Sequence, residues 1–299
     1  MRPPARERAV IHVLTVHFQS DCWIDVQLEH LERYLDRPHR VVADLEGIGA
    51  EWEQRFDVVT HLSEDAGRHL RHPDKLNRLA ELVAREAPDD DVLMFLDGDA
   101  FPIAPLGAFV EAQLARFPLA AIRRDESLGD VQPHPSFCVT TVGFWRQIGG
   151  DWSHGAEWAW TDSLGRQVDD VGGKLLALLS DSGIEWGPLL RTNRRGLHPV
   201  LFGVYEDVVY HHGAGFRSVV ERADRADPGR VVLMPSWLPP EPPASWAGGL
   251  AWRMRAKLWY LRSKRPLVKE EERIARRNQQ LSERVLAMIR TDPDFWRKV

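Results

Sequence analysis

Two carboxylates, Asp97 and Asp99, flank Gly98 at the end of a wholly apolar run, Val92-Leu93-Met94-Phe95-Leu96. An acidic turn, Asp89-Asp90-Asp91, leads into it. Such a run reads as a strand buried on both faces. Its carboxyl end is the crevice edge where open α/β sheets bind ligands. Left bare, the two carboxylates repel; a divalent cation relieves the repulsion and bridges them to phosphate oxygens. Gly98 lets the backbone bend and leaves room for a ligand. Far downstream, His211-His212-Gly213-Ala214-Gly215-Phe216-Arg217 follows a strand-like segment. An imidazole added to carboxylates makes a mixed N/O donor set, which suits Mn²⁺ better than Mg²⁺. The glycines permit close approach of a phosphate, and Arg217 is placed to neutralise a diphosphate.

The elements that must position these groups alternate in α/β fashion. Val10–Phe18 is a strong first strand, followed by a capped helix with Ile24, Leu28, Leu31 and Leu35 on one stripe. His39–Leu45 and Phe56–Leu62 are further strands, and the rhythm predicts a parallel sheet opening on a nucleotide. Thr15, His17 and Phe18 at one strand end, and Asp44 at the next, are candidates to pair with base or ribose. A helix opens near Pro73. Lys75 and Asn77 near its start can meet a diphosphate, because helix amides and dipole add there; the competing reading of Lys75 is an ordinary surface lysine. No G-x-G-x-x-G or G-x-x-x-x-G-K-[ST] occurs, which disfavours dinucleotide and P-loop binding.

Beyond the acidic pair a helix from Pro105 and a strand over Leu119–Arg123 are expected. Asp125–Pro135 reads as an active-site loop, and Ser136–Phe144 as strand. Trp145, Trp152, Trp158 and Trp160 interleave with Gly149, Gly150 and Gly155; their spacing fits no single face, which points to a sugar-binding or lid role over a core one. Asp169 and Asp170 open another helix that stops at Gly183, with Asp170 suited to cap it.

Asp97-Gly98-Asp99 after its apolar strand, with His211 in His-His-Gly-x-Gly downstream, resembles the GT-A glycosyltransferases. The resemblance implies an α/β fold with a Rossmann-like, mostly parallel sheet flanked by helices. It also implies transfer of a sugar from a nucleoside-diphosphate sugar, UDP favoured, to an acceptor hydroxyl. Mn²⁺ or Mg²⁺ would then be held by Asp97, Asp99 and His211, with His212 as the alternative. Asp170, or Asp169, would lie beside the acceptor, as base in an inverting reaction or as cation stabiliser in a retaining one. The competing readings are a sugar nucleotidyltransferase, a D-x-D phosphatase, and an inactive glycan- or nucleotide-binding module. The first lacks its Gly-rich basic loop in Thr15–Asp21; the second is disfavoured by Phe101 two places after Asp99.

Composition fits a packed enzyme: 299 residues, 43% hydrophobic, 28% charged, net charge −5. The negative balance argues against nucleic acid. The two cysteines, Cys22 and Cys138, read as buried thiols, and neither a membrane span nor a signal peptide is read, so a cytoplasmic place is expected. Residues 1–234 are expected as the catalytic domain, 235–246 as a Pro-rich linker and 247–299 as a helical extension. Ala247–Arg265 has no acidic residue but carries Arg253, Arg255, Lys257, Arg262, Lys264 and Arg265 beside a stripe of Leu250, Met254, Leu258 and Leu261. Two readings compete: a helix docked on the catalytic domain with its bases solvated, or peripheral contact with the inner membrane face. Lys269–Ile289 is a second, charged helix that can pack on the first or mediate homodimerisation.

Overall fold

The computed structural model describes residues 9–155, 160–161, 167–168, 170–194, 196–213, 220, 224, 254, 257–258, 261 and 265–299. Two compact units are formed, one by residues 1–216 with 288–299, the other by 217–287.

In the first unit, β1 (Ile11–Phe18), α1 (Ile24–Tyr34), β2 (His39–Glu46), β3 (Val58–Thr60), α2 (Leu62–Asp65), α3 (His72–Ala84), β4 (Val92–Leu96), β5 (Ala100–Pro102), α4 (Gly107–Leu114), β6 (Leu119–Arg123) and β7 (Pro133–Thr141) follow in order. Then come α5 (Val142–Ile148), the short pair β8 (Trp160–Thr161) and β9 (Gln167–Val168), α6 (Gly173–Asp181), β10 (Gly187–Leu189), β11 (Gly203–Tyr205) and β12 (Val209–His211). The protein is α/β, with a seven-stranded sheet in the order β10-β6-β7-β4-β1-β2-β3. Four of its six pairings are parallel; β7 runs against both neighbours, β4 and β6.

Alternation of side chains across the pleat explains the two apolar layers. Ile11, Val13, Met94 and Leu96 face α1 and α4, whereas Leu14, Leu93 and Phe95 face α3, α5 and α6. Because helices cover both faces, β4 is buried at all five positions, as its unbroken apolar run requires. The segment expected as strand to Phe144 turns helical at Val142, since the Thr141 hydroxyl accepts from the Phe144 amide and caps α5. Helix α6 begins after Gly172, two residues beyond the cap expected at Asp170.

The tryptophans require a correction. Trp145 and Trp152 are core residues, packed 4.8 and 5.1 Å from the Phe95 ring. A Cβ on Gly150 would lie 2.3 Å from the Trp145 ring, and one on Gly155 would lie 2.5 Å from the Gly173 backbone. These glycines therefore admit close packing. Trp158 lies outside the described residues.

A smaller antiparallel sheet, β11-β12-β5, stands beyond the carboxyl end of β4. Its outer aromatic face receives Phe295, whose ring is 6.0 Å from Phe101 and 5.0 Å from Tyr210. Asn193 Nδ2 donates to the Val299 carbonyl at 2.9 Å. The last helix, α7 (Arg265–Thr291), carries into the second unit, where Asn278 is buried and donates to Asp224 at 2.9 Å. No described helix is long and apolar enough to cross a membrane.

Candidate metal and nucleotide site

Register assembles the site. In the small sheet Tyr210 opposes Phe101 and His211 opposes Ala100, and the His212 amide donates to the Asp99 carbonyl at 3.0 Å. The strand following Asp99 thus pairs with the strand delivering His211, although the two are far apart in sequence. His211 Nε2 lies 3.4 Å from Asp99 Oδ1 and 3.8 Å from Asp97 Oδ2. Ligand atoms of Asp97, Asp99 and His211 all fall within 4.8 Å of one another, the only such group of three among the described residues.

Successive residues of β12 point to opposite faces, so His212 leaves the cluster. It is fully buried beside Trp23, ring centroids 4.5 Å apart, and its Nδ1 shares a hydrogen bond with the Tyr210 hydroxyl at 3.0 Å. Burial lowers its pKa to about 3, against the pull of Asp99. His212 belongs to the scaffold, and His211 is the imidazole that meets the carboxylates. Burial pushes the Asp99 carboxyl up, but the imidazoles of His211 and His212 outweigh that and hold it at about 2. Burial likewise lowers His211, yet Asp99 and Asp97 bring it above its ordinary value.

The turn is held from behind. Gln27 is fully buried in α1; its Nε2 donates to the carbonyls of Asp97 and Ala100, both at 2.8 Å, and its Oε1 accepts from the Thr15 hydroxyl at 3.1 Å. Thr15 therefore serves this clamp and does not face a ligand. Gln27 was missed from the sequence, although a glutamine between Ile24 and Leu31 on an apolar stripe was the signal that could have found it. A Cβ at Gly98 would sit 2.7 Å from the Val16 carbonyl and 2.9 Å from His17 Nδ1. The glycine makes room for β1, not for a ligand.

His17 is 3% exposed, and its Nε2 has no hydrogen-bond partner. Burial lowers its pKa to about 4, the Gln27 hydrogen bond and Asp99 opposing, so the ring is neutral at pH 7. His72, in the first turn of α3, places Nε2 3.2 Å from Asp97 Oδ1 but out of hydrogen-bond alignment, leaving that buried oxygen without a bonded donor. His134 lies 5.9 Å, ring to ring, from His211.

Several expected ligand contacts are structural instead. Lys75 is 2% exposed, its ammonium 2.6 Å from Asp44 and 2.5 Å from Glu46. It is neither a surface lysine nor a diphosphate ligand, because it is buried with Asp44 and paired on its outer side by the partly exposed Glu46. Asp44 Oδ1 accepts from Thr60 and from the Leu62 amide, so no face remains for a base or ribose. Asn77 joins α3 to the following layer, donating to Asp151 at 2.6 Å and accepting from the Trp152 amide at 2.8 Å. Phe18 is half-buried, its ring 5.8 Å beneath the Lys75 ammonium.

Across the site, Arg124 Nη2 lies 3.3 Å from Asp130 and 3.4 Å from Asp170, and Asp170 also accepts from the Val171 amide. The loop after β6 turns polar groups inward: Glu126, Ser127, Asp130 and Gln132 are buried, and Glu126 accepts from the Tyr205 hydroxyl at 2.7 Å. Asp169 and Arg217 lie outside the described residues.

No protein-family model matches the chain, and no curated protein matches it. Solved structures do. LgtC, a galactosyltransferase in complex with donor and acceptor sugar analogues, is 15% identical over 56% of this chain and 70% of its own, at a TM-score of 0.36. TarS of S. aureus, in complex with UDP-GlcNAc, is 12% identical over 48% of each chain, TM-score 0.34. The apo-form glycosyltransferase GlyE of Streptococcus pneumoniae TIGR4 is 14% identical over 48% of this chain and 36% of its own, TM-score 0.34.

Proposed function

We propose that the protein transfers a sugar from a nucleoside-diphosphate donor, UDP favoured, to an acceptor hydroxyl in a divalent-metal-dependent reaction. The observation that carries this reading is the convergence of Asp97, Asp99 and His211 at the carboxyl end of β4. Two carboxylates and an imidazole fit Mn²⁺, with Mg²⁺ the second choice, and the undonated Asp97 Oδ1 is an acceptor that a cation would satisfy. When bound, the ion would stabilise charge developing on a diphosphate leaving group.

The chain's own groups supply the rest. Neutral His17, at the end of β1, carries a buried Nε2 without a hydrogen-bond partner, one acceptor or donor in the wall behind the crevice. Asp170, oriented by Arg124 and the Val171 amide, supplies the acceptor-side carboxylate, a base if the reaction inverts or a cation stabiliser if it retains.

The test is a thermal-shift screen against UDP, GDP, CDP and dTDP, each with and without Mn²⁺. A shift with one diphosphate that needs the metal is expected, since binding to the native state alone raises stability. Asp99→Ala is expected to fold, by circular dichroism, and to lose that shift. A folded wild-type protein that responds to no nucleotide would remove the donor site.

A further inference from the structure

Asp97 is the least tied member of the group of three. Asp99 and His211 face each other at 3.4 Å. Gln27 holds the turn around Asp97 through backbone carbonyls and leaves its carboxylate alone. Among the described residues neither carboxylate oxygen of Asp97 takes a hydrogen bond. Oδ1 is buried without a donor, and His211 Nε2 stands 3.8 Å from Oδ2, beyond hydrogen-bond reach. A carboxylate that binds a cation is ordinarily oriented by a further donor. Without one, fixing it in a single rotamer as the cation arrives costs side-chain entropy.

One side chain is placed to supply that donor. His72 is the first residue of α3, and its Nε2 lies 3.2 Å from Asp97 Oδ1. Among the described residues no other basic nitrogen comes so near this carboxylate. The helix keeps His72 there. Pro73 suits the first turn, the Arg71 amide donates to Asp74 at 3.3 Å, and Leu76, Leu79 and Ala80 are buried behind it. The imidazole is turned off the hydrogen-bond line, but it makes no other hydrogen bond among the described residues, so nothing there resists turning Nε2–H onto Oδ1. Oδ1 keeps a second lone pair for the cation. His72 does not join Asp97, Asp99 and His211 within 4.8 Å of one another, so it reaches the cation through Asp97. We propose that His72 is a positioning residue, which holds Asp97 Oδ1 and fixes the carboxylate in the group before the cation binds. The proposal rests on the metal-dependent reading above.

Mn²⁺ binding is titrated by electron paramagnetic resonance for wild type, Asp99→Ala, His72→Ala and His72→Gln, and each is melted without metal. His72→Ala should weaken Mn²⁺ binding about ten- to a hundred-fold. Its melting temperature should match wild type, because the side chain is 37% exposed and its loss opens no core cavity. His72→Gln, whose side-chain amide also donates, should recover most of the affinity. Electron spin echo spectra of the bound Mn²⁺ should show one imidazole nitrogen in wild type and in His72→Ala alike. His72→Ala binding as tightly as wild type would overturn the proposal and leave the metal site standing; so would His72→Gln binding as weakly as His72→Ala. Two imidazole nitrogens in wild type, falling to one in His72→Ala, would make His72 a ligand instead. A wild type that takes up no more Mn²⁺ than Asp99→Ala would remove the metal reading, and this proposal with it.

Discussion

Lys75 is a buried cation between the buried Asp44 and the partly exposed Glu46, and its removal would strand Asp44. Burying a charge is tolerable only when it is paired, and breaking a buried pair from one side costs about 3–5 kcal/mol. Lys75→Met should lower stability on that scale in urea denaturation; an unchanged midpoint would show that the triad carries none. Glu46 in the same network gives a pH signature. Burial alone would raise its pKa, but hydrogen bonds from Lys75, Ser63 and His69 outweigh it and bring the carboxyl from 4.5 to about 2. A folded-state pKa below the unfolded one contributes stability that is complete above the unfolded value and fades as pH falls through the folded one. The stability difference between wild type and Glu46→Gln should thus be fully developed at neutral pH, shrink below about pH 4.5 and vanish near pH 2. Asp97 and Asp99 were legible in the sequence because an apolar strand announces its own end. Lys75 was not, because nothing local distinguishes a lysine at a helix start that meets solvent from one that meets the end of a neighbouring strand.

At the scale of elements, the turn after β4 is shaped by α1 as much as by its own residues. Gln27 donates to two of its carbonyls, of which that of Asp97 also accepts from the Ala100 amide, and a buried carbonyl left without a donor costs about 1–3 kcal/mol. Gln27→Met, which keeps the length but removes the amide, should destabilise the fold by that order and weaken Mn²⁺ binding in an electron paramagnetic resonance titration. Loss of stability with metal affinity intact would separate the clamp from the site. Helices and strands were readable from periodicity, down to Leu119–Arg123, whose bounds agree at both ends. What periodicity could not supply was register. The choice between His211 and His212 depends on which face of the small sheet each side chain takes once β12 pairs with β5, a fact of register and not of spacing. The reversal of β7 inside a mostly parallel sheet is likewise set by its neighbours. The tryptophans misled for a related reason: their partner, Phe95, lies in another strand.

The molecule as a whole ties its latest residues to its site. Residues 288–299 rejoin the first unit, and Phe295 closes the aromatic face formed by Phe101 and Tyr210, one on each of the two strands that bring Asp99 and His211 together. Truncating such a side chain costs about 3–5 kcal/mol. Phe295→Ala should lower the calorimetric melting temperature and weaken Mn²⁺ binding together; a melting temperature equal to wild type would show the plug to be ornamental. The arrangement also imposes an order in time. A ribosome that has made residues through Phe216 has already produced every member of the triad, yet the aromatic face behind it stays open until residues 217–287 have been synthesised and Phe295 follows. The support behind Asp97, Asp99 and His211 therefore closes only after residues 217–287 have been made, and a nascent protein stalled before then holds those three side chains without it.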